Sequence, residues 1–252
     1  MNLRHTSLQT GLTPWQQVHA GRLPRRLTQL MIGLVLYGVS MAMMVRSTLG
    51  LDPWDVFNAG VSRVLPLSFG EVTIVVGAFV LLAWIPLRQW PGLGTIANVV
   101  VIGLATDVAL ALIKAPHPLV ARGALLLGGI VLNALAGALY IGAQLGSGPR
   151  DGLMTGLHAR TGLSLRLVRT SIEVTVLVIG FLLGGAVGLG TVLYALMIGP
   201  LVQLLLPILT VDPEAVPADP YLTLFVPQLR GEPGRARTEA SGPGWCGARA
   251  YT

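Results

Sequence analysis

One cysteine, Cys246, stands in 252 residues. That excludes a disulfide framework and any metal site built on thiolates. Charge is also scarce: Asp, Glu, Lys and Arg make up 11% of the chain, against roughly 25% in a soluble domain. With 53% hydrophobic residues and a mean hydropathy of +0.71, the composition is that of a membrane protein. Histidine is rare and scattered: His5, His19, His117 and His158 form no cluster, so no metal is expected. There is no Walker loop, nucleophile elbow, zinc motif or paired-carboxylate hydrolase signature. That argues against a nucleotide-driven pump, no cofactor is expected, and no catalytic set marks an enzyme. A cleavable signal peptide is not expected either, because the polar lead is too long for an n-region and no small-residue cleavage site follows the first apolar run.

What the chain does have is long apolar runs, six of them, over about 27–45, 70–87, 94–113, 123–145, 170–187 and 190–210. Each is near the roughly 20 residues a helix needs to cross the hydrocarbon of a bilayer. Pro200 and Pro207 are expected to kink the sixth. Gly38, Gly103, Gly129, Gly137 and Gly199 offer surfaces for close helix contact. The net charge of +6 calls for no nucleic acid, since the basic residues cluster between apolar segments. With the N-terminus inside, Arg4, Arg22, Arg25, Arg26, Arg88, Arg150, Arg160, Arg166, Arg169 and the tail arginines are cytoplasmic. Only Arg46, Arg63, Lys114 and Arg122 then lie outside. Both termini are therefore expected in the cytoplasm, and the partner common to every span is the lipid bilayer.

The chain also states itself twice. Leu49-Gly50-Leu51-Asp52-Pro53-Trp54-Asp55 returns 96 residues later as Leu145-Gly146-Ser147-Gly148-Pro149-Arg150-Asp151, and Gly92-Leu93-Gly94-Thr95 returns as Gly188-Leu189-Gly190-Thr191. Laid on 126–200 without a gap, residues 30–104 match at 22 of 75 positions. Apolar composition alone would not align Gly, Pro, Asp, Ser and Thr in register. Each copy holds three apolar runs, an odd number, so the second enters the membrane from the opposite side. The expected fold is all-α: six transmembrane helices as two inverted-topology repeats, over 27–113 and 123–210, each with a short extra helix. Such an architecture recurs in secondary transporters. A basic leader (1–26) and a Pro-rich, disordered tail (211–252) flank them.

The short helices, expected over 52–65 and 148–161, begin with a recognisable grammar. Asp52 suits an N-cap, Pro53 and Pro149 the first turn, and Asp55 and Asp151 the place of a capping acid. At about 13 residues they are too short to span, and are either interfacial or re-entrant. Two readings follow. The aspartates cap helices at the surface, the commoner local use. Alternatively both helix heads point into one cavity, where their positive ends attract an anionic group or help hold a coupling ion.

Ionisable or polar groups inside the runs add Asp107, its repeat partner Gln203, Glu173, Asn98 and Asn133. A carboxylate at the depth of Asp107 costs about 2.5–3.5 kcal/mol on insertion scales, which favours a function for it. For Glu173, a pair with Arg169 one turn earlier is a sufficient structural reason. Gly94, Thr95, Gly190 and Thr191 open the third and sixth runs, as a helix-hairpin turn or as backbone facing a ligand.

Taken together, Gly-x-Asp-Pro-Trp-Asp after the first run, Gly-Pro-Arg-Asp-Gly after the fourth and the two Gly-x-Gly-Thr motifs resemble the YczE/YitT-like family of bacterial integral membrane proteins. The resemblance covers about residues 27–210. YitT-type relatives carry a soluble C-terminal domain, which the tail here does not resemble, so the YczE-like branch is the better match. It implies a multi-pass protein of the bacterial inner membrane. The function expected is a small secondary transporter or exporter of a small molecule, with its site between the repeats. The alternative is a non-transporting membrane partner or scaffold for an enzyme or transport complex.

Overall fold

The computed structural model describes residues 21–211. Most of the basic leader, the tail and its Cys246 lie outside the described residues. Among the described residues the chain is all-helical: α1 (Leu23–Ser47), α2 (Pro53–Val64), α3 (Phe69–Leu87), α4 (Leu93–Leu112), α5 (Leu119–Gly142), α6 (Pro149–Thr161), α7 (Leu165–Leu182) and α8 (Leu189–Leu209). Five of them, α1, α3, α4, α5 and α8, are long and apolar enough to cross a membrane. The fifth expected run differs. It becomes α7, shifted towards the N-terminus, because Ser164 caps it at Leu167 N (3.3 Å) and Gly184, at φ 91°, ends it early. The shift brings Arg166 and Arg169 into the helix beside Glu173 and lowers its apolar character.

Local chemistry explains the other boundaries. Ser68 accepts from Glu71 N at 3.0 Å while the Glu71 carboxylate accepts from Ser68 N at 2.8 Å, a complete capping box that starts α3. Thr48 and Arg88 adopt left-handed φ of 56° and 54° and end α1 and α3. Pro200 and Pro207 both lie inside α8.

The two most buried helices are α1 and α5, the first of each copy, and they lie along one another. Around them Leu30, Leu34, Met41, Ile102 and Tyr140 form one apolar cluster and Met44, Leu51, Val56, Leu126 and Ile130 a second. Glycines admit the close approaches. A Cβ on Gly38 would lie 2.7 Å from Ile102 O, and one on Gly129 would lie 2.9 Å from Met44 Cγ. Gly137 and Gly199, also expected to be contact surfaces, are not used this way: Gly137 has only Val202 nearby, and Gly199 nothing within 4 Å. The outer faces keep apolar side chains exposed, among them Phe79, Ile85, Leu196 and Leu204, and α8 with a mean hydropathy of 2.2 is covered least. Water would penalise such a surface by roughly 25 cal/mol per Å²; hydrocarbon would not.

Candidate functional site

The two short helices start where two loops are held from across the molecule. Gly94 N donates to Leu145 O at 2.8 Å, and Gly190 N donates to Leu49 O at 2.8 Å. These two bonds are one bond shifted by the repeat offset and exchanged between copies. The residues that follow, Gly50 and Gly146, sit at φ 122° and 128°, beyond what a Cβ tolerates. A Cβ there would also meet Thr191 Oγ1 (2.9 Å) and Thr95 Oγ1 (2.8 Å) respectively. Thr95 Oγ1 accepts from Gly92 N and donates to Ser147 O at 2.7 Å. The Gly-x-Gly-Thr motif thus turns its polar groups to the loop of the opposite copy.

A second exchanged pair escaped the sequence reading. The fully buried Arg26 donates to Ala143 O (2.9 Å) and Gln144 O (2.6 Å), while Arg122 donates to Ser47 O (2.9 Å) and Thr48 O (3.3 Å). Every partner is again displaced by 96. Each arginine satisfies carbonyls at the C-terminal end of the other copy's first helix, where a cation also suits the helix dipole. The signal in the sequence is an Arg–Arg match, Arg26 with Arg122, just beyond the 75 aligned positions.

The short helices pack reciprocally as well: α2 against α7, and α6 against α3. In the first copy Val56 lies against Gly180 and Gly185, where a Cβ on Gly185 would stand 2.9 Å from Val56 Cγ1. In the second copy the sizes trade places. Gly152 meets the Trp84 ring, with Cη2 2.5 Å and Cε2 2.6 Å from a would-be Cβ. Trp84 is 2% exposed and its Nε1 donates to Pro149 O at 3.0 Å. The last glycine of Gly-Pro-Arg-Asp-Gly is therefore required by an indole that pins the head of α6.

Between these helices lies a cavity of about 190 Å³. The heads of both short helices line it: Asp52, Pro53, Trp54 and Asn58 from α2, Gly148, Pro149, Arg150, Asp151 and Met154 from α6. Asp52 caps α2, its Oδ1 accepting from Trp54 N at 2.9 Å and Asp55 N at 3.0 Å. Arg150 reaches back across, NH1 3.7 Å from Asp52 Oδ1 and NH2 3.7 Å from Asp55 Oδ1, with its guanidinium 5.0 Å above the Trp54 ring. Asp55 is fully buried behind the wall, while Asp151 is exposed and accepts from Tyr140 OH at 3.2 Å. Thr73, Asn98, Glu173, Arg169, Tyr37 and Tyr194 add to the polar lining, and Arg169 Nε donates to Glu173 Oε1 at 2.9 Å.

The remaining candidates lie elsewhere. Asp107 does not line the cavity; its oxygens accept from Ser68 Oγ (2.5 Å) and Gly70 N (2.7 Å) at the head of α3. The bonds account for a carboxylate at this depth without a ligand. Gln203 is exposed. Asn133 donates to Ser40 Oγ (2.9 Å) and accepts from Tyr194 OH (3.1 Å). No group of three or more metal-ligating side chains occurs among the described residues.

The family model "Family of unknown function (DUF6198)" matches residues 24–207, which takes in both copies and the cavity between them. An "Uncharacterized protein" of Haemophilus influenzae is 41% identical over 180 residues, 71% of this chain and 83% of its own. The "Uncharacterized membrane protein YczE" of Bacillus subtilis is 32% identical over 178 residues, 69% of this chain and 82% of its own. YyaS of the same organism is 24% identical over 181 residues. No solved structure matches. The chain is a membrane protein belonging to the YczE-like DUF6198 family.

Proposed function

We propose that this protein is a small secondary transporter of the bacterial cell membrane, built as two inverted three-span repeats with its substrate site in the cavity between them. One observation carries the reading. The short helices of the two copies, too short to span, bring their heads to one cavity, and an arginine of one pairs with the aspartates of the other. Broken or short helices that meet at a repeat interface are where secondary transporters bind substrate and coupling ions. On this reading α7 is the sixth span, its Arg169 and Glu173 tolerated because they line the cavity. The arginine asymmetry then puts both termini in the cytoplasm.

A difference between the copies supports movement. In the first copy α3 lies along α4, and a Cβ on Gly103 would stand 2.6 Å from Gly70 O. In the second, α7 and α8 stand apart: Arg166 is exposed and Gly199 has open space around it. Two repeats of one design in different states are what alternating access requires, each closing as the other opens. The test is a solute screen. Proteoliposomes are incubated with a bacterial metabolite extract and their contents read by mass spectrometry against protein-free vesicles and against Asp52→Asn. A solute retained only by the wild type supports transport. Wild-type vesicles that match empty ones for every solute would favour the membrane-partner alternative.

A further inference from the structure

We propose that the cavity binds a small organic monocation, a guanidinium, protonated amine or quaternary ammonium, which takes the place of Arg150 against Asp52, Asp55 and the face of Trp54. This deepens the transport reading and rests on it for the location of the site.

The charges come first. Glu173 and Arg169 satisfy one another at 2.9 Å, which leaves Arg150 as the cation facing the buried Asp52 and Asp55, with the exposed Asp151 beside it. The cavity wall therefore carries more carboxylates than cations. It does not invite an anion at the head of α2 either, because Asp52 already accepts the first free amides of that helix. The positive end of the dipole is occupied.

The distances come next. An arginine hydrogen-bonded to a carboxylate sits about 2.7–2.9 Å away, yet both contacts of Arg150 are at 3.7 Å. It is near enough to pair and too far to donate. Asp52 Oδ2, both Asp55 oxygens and Asn58 Oδ1 are buried with no hydrogen-bond donor. Asn58, one turn beyond Asp55 on α2, lines the cavity itself, is 1% exposed and is not part of the acidic pair. Unmet buried acceptors are costly, and a ligand carrying N–H donors or a full positive charge would satisfy them.

Shape separates an organic cation from a proton or a bare metal ion. Those would neutralise charge but make no use of an aromatic platform. Here the guanidinium of Arg150 lies 5.0 Å over the Trp54 ring, within the ~6 Å of a cation–π contact, and Tyr37, Tyr140 and Tyr194 line the rest. A volume of about 190 Å³ holds several waters' worth of ligand, each water taking about 30 Å³ of liquid. Arg150 comes from the opposite helix and is 28% exposed, so it can withdraw. It is an internal stand-in for the ligand, loosely held in a site made for a cation.

Titration calorimetry on the full chain in neutral-lipid nanodiscs tests this with four probes: methylguanidinium, tetramethylammonium, acetate and phosphate. The cations should bind and the anions should not. Arg150→Ala removes the competitor and should tighten methylguanidinium roughly tenfold or more, while Asp52→Asn, which keeps an equally good cap, should weaken it by a similar factor. Cation binding in Arg150→Ala alone also supports the proposal. Anion binding abolished by Arg150→Ala overturns it, and so does the absence of cation binding in both proteins. A cation that binds this way without crossing proteoliposomes would sink the transport reading and leave this one standing. An anion that crosses would do the reverse.

Discussion

Exchanging the sizes of Trp84 and Gly152 tests the reciprocal packing directly. In the second copy Trp84 fills the space above Gly152; in the first, Gly180 admits the backbone of Val56 and Phe57, and the Val56 side chain reaches Gly185. Gly152→Val on its own drives a branched side chain into the indole. The ring cannot swing aside without losing its bond to Pro149 O. Overpacking costs about 1–3 kcal/mol and the lost hydrogen bond about 1, offset by somewhat under 1 kcal/mol of helix propensity. The net is roughly 1–3 kcal/mol, or a fall in Tm of about 2–12 °C at some 2–4 °C per kcal/mol for a chain of this size. Trp84→Ala alone should cost about 3–5 kcal/mol as a cavity mutation. Combined, the two reverse the sizes as in the first copy, with alanine at the position equivalent to Gly180, and the double mutant should be more stable than the sum of the single losses by at least ~1 kcal/mol. Unfolding of the protein in one detergent, followed by size-exclusion after heating, reads all four corners of the cycle. Additivity within about 0.5 kcal/mol would refute the idea that the copies solve one packing problem with the residues reversed.

Three further outcomes are expected. Asp107→Asn keeps an acceptor for Gly70 N and loses charge at the head of α3, so it should lower Tm by a few degrees, a capping loss of about 0.5–2 kcal/mol; complete loss of flux with unchanged Tm would assign Asp107 a coupling role instead. Cysteines at Pro118 and Pro233, in a Cys246→Ser background, should label differently with an impermeant thiol reagent applied to intact cells, Pro118 alone reacting; equal labelling would defeat the six-span topology. A cysteine pair replacing Arg166 and Gly199, the counterparts of the touching Gly70 and Gly103, should crosslink only during turnover or with a state-trapping ligand. Immediate, ligand-independent crosslinking would remove the asymmetry on which alternating access rests.

Much of this protein is legible in its sequence, because hydropathy and in-register motifs are local signals. Long apolar runs read as membrane helices since a lipid-facing helix has nothing else to display; Asp52 marks a helix start because its carboxylate satisfies amides within a turn, and Pro53 because it has no amide to satisfy. Hydropathy alone puts the fifth helix later for the same reason: the apolar stretch begins after Arg169, but the cap at Ser164 and the lining position of Arg169 and Glu173 let the helix start earlier.

Pairing is the part that needed the fold. Asp107 read as a site because its depth is costly, and only the arrival of Ser68 and Gly70 from another helix shows what it holds. Arg150 read as a topology marker, yet it crosses the cavity to the aspartates of the other copy. By position alone Gly-x-Gly-Thr reads as a hairpin turn, yet Gly94, Gly190 and Thr95 find their partners in the opposite copy's loop. The repeat by itself established that two equivalent structures exist in the chain. Which groups of one meet which groups of the other is set by side chains dozens of residues apart in sequence, and such distances close only when helices pack.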